Sequence, residues 1–242
     1  MPNPTAKPVP NRSAASELSR NPVLQHSPAG LSSVPTAAGP VTGWSASAEL
    51  PSADLSPQEA LDQLYLGNKR FLSGNPLAPN RDVDRLKEIA PRQRPFAAFL
   101  GCADSRVPIE IVFDQGFGDL FVTRIAGNVT TPECIGSLEF GTQILEAKVL
   151  YVLGHTNCGA VTAAMKGEPV PGQISTLFQH LRPAVRHAQG NLDTAIRENA
   201  RHHAAILREA SPIIAKLVKE GRLIVAGGVY DLETGAVTGV EV

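Results

Sequence analysis

The chain has 242 residues, 43% of them hydrophobic, and a formal net charge of −1. That is enough for one α/β domain with a substantial core, and the near-neutral charge gives no electrostatic basis for binding nucleic acid or an anionic membrane. No apolar run approaches the roughly 18 residues of a membrane span, and three cysteines do not make a disulfide framework.

Residues 1–55 are rich in Pro, Ala and Ser and show no periodic apolar face, so they are expected to form a disordered tail ahead of a folded domain over 56–242. The tail lacks the apolar stretch of a secretory signal. A cytoplasmic location is the expectation, with an organellar one as the alternative if Arg12, Arg20 and the neighbouring serines belong to a transit peptide. Order begins at Ser56-Pro57-Gln58-Glu59, which combines an N-cap, a proline at the first helical position and a glutamate at N3. Ala60, Leu61, Leu64, Tyr65, Asn68, Phe71 and Leu72 continue this as an amphipathic helical arm, which Gly74 ends.

Beyond the arm, strands are predicted near 96–101, 120–125, 149–153 and 222–227, and helices near 106–114, 133–147, 159–166 and 191–219. Pro212 should break or kink the last of these. Val229 to Val242 alternates apolar and polar residues about Glu233-Thr234-Gly235, the pattern of a terminal hairpin or edge strand. The expected fold is therefore α/β: a central, mainly parallel sheet of about four strands with a C-terminal edge strand or hairpin, and helices on both sides.

Two of the apolar runs end in chemistry. Cys102 closes Phe96-Ala97-Ala98-Phe99-Leu100-Gly101, and His155 follows Val149-Leu150-Tyr151-Val152-Leu153-Gly154, with Cys158 three residues later. Open α/β sheets place their sites beyond the carboxyl ends of strands, so neighbouring strands could deliver all three side chains to one point. Two thiolates and an imidazole are a tetrahedral zinc set with one position left over, and the 52 residues between Cys102 and His155 favour a catalytic metal over a local staple. Asp104 could fill that fourth position, or Arg106 could hold its carboxylate away as a bidentate partner; an ion pair with only a structural role is the plainer alternative. Cys134 reads as a buried or semi-buried thiol. His180, His187, His202 and His203 read as helical or loop surface residues with no catalytic role, and His26 falls in the tail.

Gly101-Cys102-Ala103-Asp104-Ser105-Arg106-Val107-Pro108 and Gly154-His155-Thr156-Asn157-Cys158-Gly159-Ala160 together resemble the two signature segments of the β-class carbonic anhydrases. The similarity runs from about Ser56 to the C-terminus and includes Leu120 to Arg124, Ala126-Gly127-Asn128, and Tyr230 to Gly235. The resemblance implies one Zn²⁺ per chain on Cys102, His155 and Cys158, and the reversible hydration of CO₂ to bicarbonate and a proton by water that zinc activates to hydroxide. It also implies that Asp104 and Arg106 form a catalytic dyad, with Asp104 a zinc ligand only in a closed state, after release from Arg106. Gln93 matches the substrate-orienting glutamine of the family, and Phe121 and Phe140 match aromatic residues lining an apolar CO₂ pocket at a subunit interface. The partners it implies are CO₂, bicarbonate and further copies of the chain, as a homodimer or higher even oligomer. In the family the N-terminal helix packs over the partner subunit; covering its own core is the alternative. Phe99 stands where the bicarbonate-regulated branch carries Trp, so the chain resembles the plant-like, unregulated branch. Two other readings stay open: a hydrolase of a related heterocumulene, CS₂ or COS, on the same scaffold, and a non-catalytic zinc-bearing assembly subunit.

Overall fold

The computed structural model describes residues 55–242. The expected tail, with His26, lies outside the described residues apart from Leu55. Helix α1 (Pro57–Leu72) opens with the capping box read from the sequence: the Ser56 hydroxyl accepts from the Glu59 N–H, and the Glu59 carboxylate accepts from the Ser56 N–H at 2.8 Å. These two contacts satisfy donors that a bare helix end would leave unpaired. The helix ends at Ser73, and Gly74 follows with φ +70°.

The remaining elements are α2 (Val83–Ile89), β1 (Ala97–Gly101), α3 (Ile109–Val112), β2 (Leu120–Arg124), α4 (Pro132–Glu139), β3 (Val149–His155), α5 (Gly159–Lys166), α6 (Phe178–His187), α7 (Leu192–Ala210), α8 (Pro212–Lys219), β4 (Ile224–Tyr230) and β5 (Val237–Val240). The strands form one sheet in the order β2-β1-β3-β4-β5. The first four are parallel, and β5 pairs antiparallel on the edge beside β4. This is the mainly parallel sheet with a C-terminal edge strand expected from the sequence. Strands β1 and β3 are buried along their whole lengths, as continuous apolar runs in a sheet covered on both faces should be.

Helices cover both faces. On one, Ala60 and Leu64 of α1 pack with Phe96, Phe99, Phe113 and Tyr151; on the other, Leu138 of α4, Ala200, Ala204 and Leu207 of α7 and Ile214 of α8 pack with Ala98, Leu100, Leu150 and Val152. Helix α1 thus lies on the sheet of its own chain. Its approach is close at Gly67, where an added Cβ would stand 1.9 Å from the Phe113 carbonyl oxygen. Asn68 locks the helix in place, donating to the carbonyls of Val112 and Gly235 and accepting from the Val237 N–H.

Several boundaries differ from the sequence expectation. The predicted helix over 106–114 shrinks to α3, because Asp104 to Val107 closes a turn and Pro108 takes the N-cap position. The helix predicted over 133–147 is α4 followed by a π-helical turn, Phe140–Ile144. The segment over 191–219 becomes two helices: Pro212 opens α8, and the Ser211 hydroxyl caps it by accepting from the Ile214 N–H. Helices α2 and α6 had no counterpart in the sequence reading.

His203 corrects the reading of the histidines as surface residues. It is fully buried, whereas His180 and His202 are half-buried and His187 is exposed. The helical face that includes Ala200, Ala204 and Leu207 turns His203 inward, against Thr130.

Candidate metal centre

Strand order fixes where the site forms. The chain passes from β1 to β2 on one side and then places β3 on the other side of β1. The carboxyl ends of β1 and β3 therefore flank the point at which the winding reverses, the usual location of a site in an open α/β sheet. Gly101 pairs with Leu153, so Cys102 leaves β1 beside the Gly154-His155 end of β3. Cys158 follows as the N-cap residue of α5, where the helix N-terminus favours a negative charge.

The side chains converge. One ligand atom each from Cys102, His155 and Cys158 lies within 4.8 Å of the others, and all three residues are buried. His155 Nδ1 lies 2.9 Å from the Thr156 carbonyl, so that nitrogen carries the proton and Nε2 keeps a free lone pair. Nε2 is buried without a hydrogen-bond partner, a cost that a metal ion would remove. The two sulfurs carry a related conflict. The Cys102 thiol is held below its ordinary range chiefly by its contact with Cys158, with help from His155 and the Gly127 N–H, while Cys158 is pushed up by that same contact and by burial. Two adjacent sulfurs that cannot both ionise alone can do so around a divalent cation. Softness, count and spacing of the donors all fit zinc.

Asp104 is not part of the three-ligand group. Its carboxylate faces Arg106, with Nε to Oδ1 at 3.0 Å and Nη2 to Oδ2 at 2.8 Å, and it also accepts from the Arg106 N–H at 2.9 Å. Those hydrogen bonds keep it well below the usual carboxylate range. Its Oδ2 nevertheless lies 3.8 Å from His155 Nε2, at the rim of the donor cluster. Arg124, which the sequence reading overlooked, donates to the carbonyls of Cys102 and Asp104 and fixes the segment between them. The Gly127 N–H donates to Cys102 Sγ at 3.3 Å.

The residues matched to a substrate pocket form a separate group. Gln93 lies before the amino end of β1, in a cavity of about 810 Å³ that Arg92, Arg94, Ile144 and Glu146 also line. The Phe121 and Phe140 rings are 6.2 Å apart beside the same π-helical turn, and Phe140 is 46% exposed. Phe121 pairs with Ala98, so about 13 Å of strand rise separates it from Cys102 within one chain, and Gln93 precedes β1 altogether. Phe99 is fully buried between Phe113 and Tyr151, at centroid distances of 5.1 and 5.4 Å.

The carbonic anhydrase family profile matches residues 97–237, which takes in both ligand segments and all but the end of the sheet. Carbonic anhydrase 2 of Mycobacterium tuberculosis is 36% identical over 188 residues, covering 74% of this chain and 91% of the relative. The carbonic anhydrase of Mycolicibacterium smegmatis is 34% identical, with coverages of 75% and 92%. The β-carbonic anhydrase of Coccomyxa, solved with acetazolamide, is 26% identical, covers 78% of this chain and 86% of its own, and superposes with a TM-score of 0.59. A tetrameric enzyme from Sordaria macrospora, 23% identical with a TM-score of 0.60 and coverages of 65% and 86%, has the same fold. With the Cys-His-Cys cluster at the switch point of such a sheet, the chain belongs to the β-class carbonic anhydrases, enzymes of zinc-dependent CO₂ hydration.

Proposed function

We propose that CO₂ hydration in this chain runs through Asp104 and Arg106 at the Cys102-His155-Cys158 centre. The observation that carries this reading is the two-point Asp104–Arg106 pair, whose carboxylate lies 3.8 Å from the unpartnered His155 Nε2. Cys102, His155 and Cys158 would hold zinc, which would supply Lewis-acid activation of water at neutral pH. Asp104, kept ionised by Arg106, accepts a hydrogen bond from the attacking oxygen and aims its lone pair at the carbon of CO₂. Arg106 holds the carboxylate back from the Cys102-His155-Cys158 cluster, which would leave room there for the reacting oxygen. One CO₂ and one water give one bicarbonate and one proton, and the proton leaves to solvent or buffer.

Gln93, Phe121 and Phe140 act from a second copy of the chain. They stand toward the amino end of β1, away from the metal ligands of their own chain, and both Ile144, which lines the Gln93 cavity, and Phe140 in the same π-helical turn expose apolar surface. A homodimer or higher even oligomer would carry this group to a neighbour's centre, where the glutamine amide could orient the substrate and the rings exclude water. Phe99, buried against Phe113 and Tyr151, stands where the bicarbonate-regulated branch carries Trp, which supports the unregulated branch.

The test is stopped-flow CO₂ hydration by Arg106→Ala and Asp104→Ala, with zinc measured on the same samples. Each variant should keep about one zinc per chain and lose at least about a hundred-fold in rate, the scale on which one orienting group acts. Native rates in both would overturn the dyad.

A further inference from the structure

We infer that Asn199 is a positioning residue for the metal centre: from α7 it holds Gly127 by its carbonyl, so that the N–H on the other side of the same residue donates to the Cys102 sulfur. The contacts form one chain. Asn199 Nδ2 donates to the Gly127 carbonyl at 2.8 Å, and the Gly127 N–H donates to Cys102 Sγ at 3.3 Å. One turn further along α7, His203 Nδ1 accepts from the Thr130 N–H at 3.2 Å and lies 2.8 Å from the Thr130 hydroxyl. Residues four apart share a helix face, so one stripe of α7 grips both ends of the 127–130 loop.

The loop needs that grip. Gly127 has φ +76° and Asn128 φ +45°, and the left-handed asparagine costs about 1 kcal/mol, so it persists only where its surroundings over-determine it. Stability alone does not account for Asn199. It is 1% exposed, and its Oδ1 is buried without a partner, a penalty of about 1–3 kcal/mol that an apolar residue of similar size would avoid. What the amide provides is the placement of Gly127: it fixes the peptide unit that follows this residue and, across its α-carbon, the preceding unit whose N–H faces the sulfur. An N–H directed at a thiolate withdraws charge from it, and contacts of this kind behind a ligand commonly change metal affinity about 10–100-fold when removed.

The inference rests on the three-ligand centre, and the test separates the two. Co²⁺ is loaded into the native protein, Asn199→Asp, Asn199→Leu and a control, Asn68→Leu, and the thiolate-to-cobalt absorption band is recorded. Zinc affinity is measured in parallel by chelator competition. Asn199→Asp is nearly isosteric and sets an acceptor against the Gly127 carbonyl. It and the leucine variant should shift the band and weaken zinc binding about 10–100-fold. Asn68 is also buried and also donates to backbone carbonyls, but on the opposite face of the sheet. Its replacement should lower thermal stability and leave the band in place. A native band and native affinity in the Asn199 variants would overturn the inference alone, as would an equal shift in the control. A native protein without any thiolate-to-cobalt band would overturn the metal centre and the inference together.

Discussion

At the scale of single residues, the three cysteines divide by their neighbours. Cys102 and Cys158 share a buried cluster with His155, whereas Cys134 packs in the second core beside Leu138. Cys158→Ser should lose zinc and activity together, because an alcohol does not ionise to a soft ligand at neutral pH. Cys134→Ser should keep both. Zinc quantification on the purified variants decides, and full occupancy in Cys158→Ser would show the ligand set to be wrong. The Cys102-His155-Cys158 cluster and the Asp104–Arg106 pair were legible in the sequence because each follows a glycine-bounded apolar run at a short, fixed spacing. Gly127, Arg124 and Asn199 were not. They reach the centre through backbone atoms or from another element, and only the folded positions of β2, the 126–130 loop and α7 bring them there.

At the scale of elements, His203 makes the docking of α7 sensitive to acid. Burial depresses its pKa from the ordinary 6.5 to about 3, so the folded state binds its proton less readily than the unfolded chain. The stability it contributes is complete above about pH 6.5 and is lost as the pH falls toward about 3. By pH 4.5 the loss should reach about 2–3 kcal/mol. His203→Gln should flatten that limb in denaturant titrations between pH 6.5 and 4.5, and an unchanged slope would show that other groups govern it. Gly67→Ala tests the seat of α1: the new methyl meets the Phe113 carbonyl at 1.9 Å, and the helix must lift. The thermal midpoint should fall by several degrees, equivalent to about 1–3 kcal/mol.

The elements that the sequence reading missed are short or interrupted. Helix α6 holds Pro183 in its interior and has no side-chain N-cap, and α2 has seven residues and buries none of them. By contrast, α1 shows its capping box, and β1 and β3 are unbroken apolar runs. Pro212 was readable as a break because proline cannot continue a helix but can start one. The length of α3 was not readable, since the Asp104–Arg106 turn that shortens it belongs to the site.

At the scale of the whole molecule, the sheet order is what the linear pattern conceals. Alternating strands and helices imply a parallel sheet, but not that β3 returns to the far side of β1 and so creates the crevice between Cys102 and His155. The distance of Gln93 from that crevice is likewise a property of the fold, and it makes a second copy part of the proposed pocket. Mixed oligomers can show this directly. In a dimer formed from Gln93→Ala and Arg106→Ala subunits, sites shared between chains would leave one of two centres with both residues intact. Equal mixing should then restore about a quarter of the native rate, as half of the dimers are mixed. If each chain used its own glutamine, mixing would restore nothing.

Stopped-flow CO₂ hydration by the native protein, with a pH indicator and zinc quantified on the same preparation, is the most direct test of a zinc carbonic anhydrase at Cys102, His155 and Cys158. About one zinc per chain should accompany rapid hydration, and chelation should remove both while zinc restores both. A zinc-replete protein that leaves CO₂ hydration at the buffer rate would contradict the account.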